Sequence, residues 1–211
     1  DIEARFEIAN IYQKKGENEK ALQQYQKLVT KKPKDLNEQY FIAQAYKNLG
    51  ETKKALQEYK KIITINPNHL RARRNVGSIY KEKGEIDKAL QEYQNIITIN
   101  PNDESARIDI GNIYRYKGEI EKAIQEHQKV ITIKTNNGYN NWKIIAYDSL
   151  AFLYTWSPKR DLGKALIYTK KSLNLQPTSP MVHRHHLHIG NIYSLLNQYS
   201  QAEKHFKIAI D

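Results

Sequence analysis

Cysteine is absent from this 211-residue chain. That excludes a disulfide framework, thiolate-held zinc, iron–sulfur clusters and any cysteine nucleophile, and it agrees with a reducing compartment, so the expected location is the cytoplasm. Long apolar runs are missing too. No stretch approaches the roughly 18 residues needed to cross a bilayer, and no basic-then-apolar leader opens the chain, so membrane insertion is not expected. The chain starts at Asp1 rather than Met, which reads as a processed or partial sequence. Apolar residues make up only 39% of it, below the roughly 45–50% of ordinary globular domains. A single deep core is therefore unexpected, yet 15 Tyr argue against disorder. A thin, fully folded molecule satisfies both. Phosphate-binding GxxxxGKS/T loops, GxGxxG turns and GxSxG elbows are all lacking, so neither an enzyme nor a cofactor is expected.

What the sequence has is a period. Pro33, Pro67 and Pro101 lie 34 residues apart, and the same step joins Gly16, Gly50, Gly84 and Gly118; Tyr12, Tyr46, Tyr80 and Tyr114; and Ala21, Ala55, Ala89 and Ala123. The repeats are 2–35, 36–69, 70–103 and 104–137. Within 70–103, Leu70, Arg73, Val76, Gly77 and Tyr80 recur at helical spacing until KGE at 83–85 ends the run. Ile86, Ala89, Leu90, Tyr93, Ile96 and Ile97 then trace a second helix, stopped where Asn100 precedes Pro101. Small residues at Gly77 and Ala89 mark the expected crossing of the two helices.

These residues resemble the tetratricopeptide repeats. Counting within each repeat, the small residue at position 8, aromatic at 11, Gly at 15, Ala at 20, aromatic at 24 and Pro at 32 are met by Ala43, Tyr46, Gly50, Ala55, Tyr59 and Pro67, and likewise in the first and third repeats. Position 4, often Trp in the family, is Arg5, Gln39, Arg73 and Arg107, so that contact is expected from alkyl stems or not at all. The fourth repeat has His127 at position 24 and Thr135 for the proline. A fifth, 144–179, fits with Ala151, Tyr154, Ala165, Ser172 and Pro177 if two residues are inserted at WSPKRDLG, after a linker at 138–143. A sixth, 183–211, has Gly190, Tyr193, Ala202 and Phe206, with Asn197 in the glycine place. Its end, Phe206, Ile208, Ala209 and Ile210, lacks a covering helix, so either more chain or a second copy is expected there.

The resemblance implies an all-α, right-handed superhelix, a single solenoid over 1–211. It also implies a noncatalytic scaffold whose first helices line a groove through positions 2, 5, 6, 9, 12 and 13. The partner expected there is a protein segment, extended or helical, with acidic groups. The groove residues singled out are Phe6, Asn10, Tyr40, Phe41, Gln44, Arg71, Arg74, Asn75, Ser78, Asn112, Tyr116, Arg184 and His188. Phe6, Tyr40 and Phe41 beside Arg71 and Arg74 would make an apolar anchor with guanidinium neighbours, or would pack between repeats; both readings stand. The family's carboxylate clamp for a chaperone tail is incomplete in either window tried, Phe6/Asn10/Phe41/Arg71/Asn75 or Ile108/Asn112/Ser149/Arg184/His188.

Nucleic acid is a weaker expectation. The net charge of +11 is spread thinly, and only 138–179, at +4, is locally basic, with Trp142 and Trp156 available for stacking. A single-stranded RNA-binding repeat is the alternative function, and a regulatory module of a larger enzyme is the third. The cluster His183 to His188 has no His pair at i, i+4, so no metal is expected, with His186 packed and the other imidazoles solvated.

Overall fold

The computed structural model describes residues 1–134, 141–175 and 181–210, all of whose regular structure is helical. Thr135, Pro177 and Pro180 lie outside the described residues. No helix among them is long and apolar enough to cross a membrane. The chain divides into two compact bodies, 1–101 and 102–211. The first holds α1 (Ile2–Lys14), α2 (Asn18–Val29), α3 (Leu36–Asn48), α4 (Thr52–Ile65), α5 (Leu70–Glu82) and α6 (Ile86–Ile99). The second holds α7 (Glu104–Tyr116), α8 (Ile120–Thr132), α9 (Asn141–Trp156), α10 (Leu162–Leu175), α11 (Val182–Leu195) and α12 (Tyr199–Ile210). The linker expected up to residue 143 is shorter, since Asn141–Lys143 already belong to α9.

The first four helix pairs are made by the same local chemistry. The first helix opens on a side-chain cap: Asp1, Asp35, His69 and Asp103 accept from the backbone N–H three residues on. It closes where Gly16, Gly50, Gly84 and Gly118 take φ of +75° to +77°, the left-handed turn that glycine adopts without strain. The residue after that glycine then donates to the position-11 tyrosine carbonyl, as Glu85 does to Tyr80 at 2.8 Å. In the fifth repeat Asp161 makes the same bond to Tyr154 at 2.8 Å, so the two inserted residues loop out and leave the closure intact. Asn197 fills the glycine place at φ +58°. The second helices α4 and α6 stop at Asn66 and Asn100, which turn extended ahead of their prolines.

The pairs cross at positions 8 and 24. A Cβ added to Gly77 would stand 3.0 Å from the Tyr93 ring, one on Gly111 2.8 Å from His127, and one on Gly190 2.5 Å from Phe206. Phe206, expected at an uncovered edge, is thus packed inside its own pair, whereas Ile208 and Ile210 are exposed. His127 is fully buried with neither ring nitrogen bonded within the protein, and burial pushes its pKa down to about 4.

Position 4 departs from expectation. It is held by a polar partner at position 23: Arg5 donates to Gln24 at 2.8 Å, Gln39 to Glu58 at 3.1 Å, Arg73 to Glu92 at 2.8 Å and Arg107 to Glu126 at 2.8 Å. In the fifth repeat Tyr147 stacks on Tyr168, and in the sixth His186 meets His205. A half-buried crossing supplies a partner for a guanidinium as readily as for an indole.

Candidate groove site

In the first body the singled-out residues bond to each other. Phe6, Tyr40 and Phe41 are buried, so of the two readings left open the structure supports packing, and the exposed aromatic anchor is corrected. Phe6 lies 5.2 Å from Phe41 and 5.6 Å from Tyr25, ring centre to ring centre. Tyr40 packs on Tyr59 and His69. Its hydroxyl accepts from Gln44 at 3.1 Å and Asn75 at 3.0 Å, while the Arg71 guanidinium sits 4.5 Å above its ring. Asn10 accepts from the Tyr25 hydroxyl at 2.7 Å, and Ser78 donates to Glu82 at 2.9 Å. Arg74 is half-buried. In the first two repeats position 5 therefore faces the core, where a ring gains far more from burial than from solvent.

At the groove positions of the second body, three large rings face outward. Tyr116, Phe152 and Trp156 are 78%, 47% and 54% exposed, at groove positions 13, 9 and 13. Asn112 is half-buried. Phe152 and Trp156, one helical turn apart on α9, form with Asp148 one wall of a cavity of about 250 Å³; Met181, Arg184, His185 and His188 at the start of α11 form the other. Above Phe152, at 5.6 Å, stands the Arg115 guanidinium, a cation–π contact. Arg184 is exposed and makes a weak 3.3 Å contact to the Met181 sulfur. Of the residues singled out, Arg184 and His188 are the two that meet in this cavity. Phe152, Trp156 and Asp148 fall on groove positions but were not among them. A signal for the first two was present: position 9 is Asn10, Gln44, Ser78 and Asn112 before it becomes Phe152, and position 13 is Lys14, Asn48 and Glu82 before Tyr116 and Trp156.

The histidine at the cavity floor is His185, not His186: His185 is buried and His186 half-buried. Its Nε2 is 3.0 Å from Asp148 and 3.0 Å from Ser172. Ser, His and Asp thus meet, but a proton relay needs acid and nucleophile on opposite ring nitrogens, and here both share one. His188 pairs through Nε2 with Thr155 at 3.0 Å and through Nδ1 with Thr169 at 3.4 Å. Burial lowers its pKa, and Arg184 adds a guanidinium to the cavity lining. No group of three or more metal-binding side chains occurs among the described residues.

The basic segment has other duties. Lys164 pairs with Asp161 and lies over Tyr154, Lys159 pairs with Glu121, Lys170 lies over Tyr193, and Lys171 over Tyr147 and Tyr168. The Tyr154–Lys164 contact repeats one made by Lys20, Lys54, Lys88 and Lys122 over Tyr12, Tyr46, Tyr80 and Tyr114.

Models of the tetratricopeptide repeat match residues 48–107, and 2–35 with 105–137, together more than half of the chain. No curated protein matches. Among solved structures, MamA is similar with 22% identity and a TM-score of 0.67, over 80% of this chain and 92% of that one. A tetratricopeptide repeat protein from Parabacteroides merdae has 16% identity and a TM-score of 0.68 over 99% of this chain and 78% of its own. The human IFIT1 dimer with PPP-AAAA has 16% identity and a TM-score of 0.74, over all of this chain and 55% of its own. At such identities the likeness is one of fold. Repeat period, helix-pair chemistry and matching models agree: the chain belongs to the tetratricopeptide repeat family.

Proposed function

We propose that this chain is a noncatalytic scaffold that holds a segment of a partner protein against its first helices, anchored in the cavity of the second body. Family members generally act as scaffolds that bind protein partners. The observation that carries the finer reading is the exposed Phe152–Trp156 pair facing Arg184 across about 250 Å³. That volume falls below the roughly 300–1,000 Å³ of small-molecule sites and suits one or two large side chains. Aromatic and arginine residues at a concave surface are the usual energetic centre of an interface. Asp148 is engaged by His185, so Arg184 is left to take a carboxylate. The partner segment therefore carries an aromatic or large aliphatic side chain with an acidic group beside it.

RNA binding is the second reading, favoured by the IFIT1 likeness and by the basic stretch 138–179. Against it, the lysines of that stretch lie on tyrosines and carboxylates, while an aspartate lines the cavity that holds the aromatics. Affinity capture from cell lysate, using wild-type chain and a Phe152→Ala/Trp156→Ala variant with and without nuclease, separates them. A nuclease-resistant protein captured by wild type and lost from the variant is the expected result. Capture abolished by nuclease would favour RNA, and equal capture by the variant would remove the cavity as anchor.

A further inference from the structure

The contact between positions 4 and 23 recurs in all six repeats, and its chemistry changes at the last one. The first five repeats use Arg–Gln, Gln–Glu, Arg–Glu, Arg–Glu and Tyr–Tyr pairs. The sixth repeat closes with two imidazoles. His186 Nδ1 on α11 lies 2.9 Å from His205 Nδ1 on α12, with ring centres 5.1 Å apart and planes 22° apart. The distance between centres exceeds that between nitrogens by nearly the full sum of the two ring radii. The nitrogens therefore point at each other edge to edge, one Nδ1–H donating and the other Nδ1 accepting.

This contact counts protons. Neutral, it is an N–H···N hydrogen bond. One proton, taken on the donor ring's Nε2, leaves the N–H···N bond in place. A second proton must enter at the accepting Nδ1, and it sets two N–H groups and two positive charges head to head. Among the described residues, Lys170 faces the pair from α10, His185 and the stacked Tyr193 from α11, and Lys204 from α12. Glu203 on α12 is paired with Lys207 at 2.7 Å. Beyond this contact, the packing of α12 at its crossing rests on Phe206 against Gly190 and on buried Ala202.

We propose that His186 and His205 form a two-proton latch: α12 stays docked while the pair is neutral or singly protonated, and is released when both rings are protonated. The latch is independent of the groove reading. Burial and, for His205, the neighbouring cations lower both imidazoles below their ordinary value of 6.5. Below that value the released chain binds more protons than the docked pair, so docking weakens as pH falls and returns on neutralisation.

Nitrogen-15 NMR on the whole chain tests this, with the imidazole shifts of His186 and His205 followed alongside backbone order while pH is lowered from 7.5 until both rings are protonated. In wild type, order parameters over 199–210 should fall from about 0.85 to below about 0.6 as the second imidazole titrates, while 86–99 stays rigid. The His186→Arg/His205→Glu variant installs the pair of the third and fourth repeats and should keep α12 ordered through the same range. So should His205→Asn, which leaves one imidazole and no second proton to add. Wild-type α12 remaining rigid with both rings protonated would overturn the latch, as would the variants losing α12 order together with wild type.

Discussion

The two bodies share one helix-pair chemistry and use their aromatics in opposite ways. In 1–101 the large rings sit at positions 5 and 6, where Phe6, Tyr40 and Phe41 are buried and the polar groove residues bond among themselves. In 102–211 position 5 passes to Ile108, Asp148 and Leu187, and rings appear at positions 9 and 13, where Phe152, Trp156 and Tyr116 are exposed. The same position is buried in one repeat and exposed in another, so the side chains placed there and their neighbours decide what each surface presents. Under the proposed function the second body carries the binding surface and the first serves as its frame.

That contrast can be broken in order of effect. Phe41→Ala removes a buried ring and should cost about 3–5 kcal/mol of stability, read by denaturant unfolding. The corresponding change on the other side, Phe152→Ala, should cost stability under about 1 kcal/mol and partner affinity about 2 kcal/mol, near thirtyfold, read by titration calorimetry. Acid should act on a scale between those two. His127 is neutral in the fold with its pKa held to about 4, so the unfolded chain binds the extra proton between pH 6.5 and 4. Stability is then lost as pH falls through that window, by about 3 kcal/mol in all. His127→Tyr, which copies the residue packed on Gly77, should flatten that part of the pH profile in thermal melts. Gly190→Ala places a methyl within 2.5 Å of Phe206 and should cost about 1–3 kcal/mol. Smallest of all, Gln39→Ala should cost about 1 kcal/mol, because Glu58 also pairs with Lys61 and is not left alone.

Much of the fold is legible in the sequence because helix-pair geometry is written at fixed positions. Gly84 and its counterparts end the first helix, Asn100–Pro101 ends the second, and Gly77 is small because Tyr93 lies against it. The polar pair at positions 4 and 23 is harder to see, since Arg73 and Glu92 are 19 residues apart and only the crossing of two helices brings them together. The site is less legible for a related reason. Helical spacing puts Phe6 and Phe152 on the same broad face, but the first is covered by Phe41 of the next repeat, and coverage is a property of neighbours. His185 and His186 show the same limit: both are histidines in one run, and a rotation of one residue separates the cavity floor from the contact with α12.

The most direct test of the division between the bodies is calorimetric titration of the captured partner segment into two variants, Phe152→Ala/Trp156→Ala and Arg71→Ala/Arg74→Ala. Affinity should fall at least thirtyfold in the first and change less than about threefold in the second, with both remaining folded by circular dichroism. A loss confined to the arginine variant would place the binding surface in the first body and contradict the division into a stable frame and a binding body.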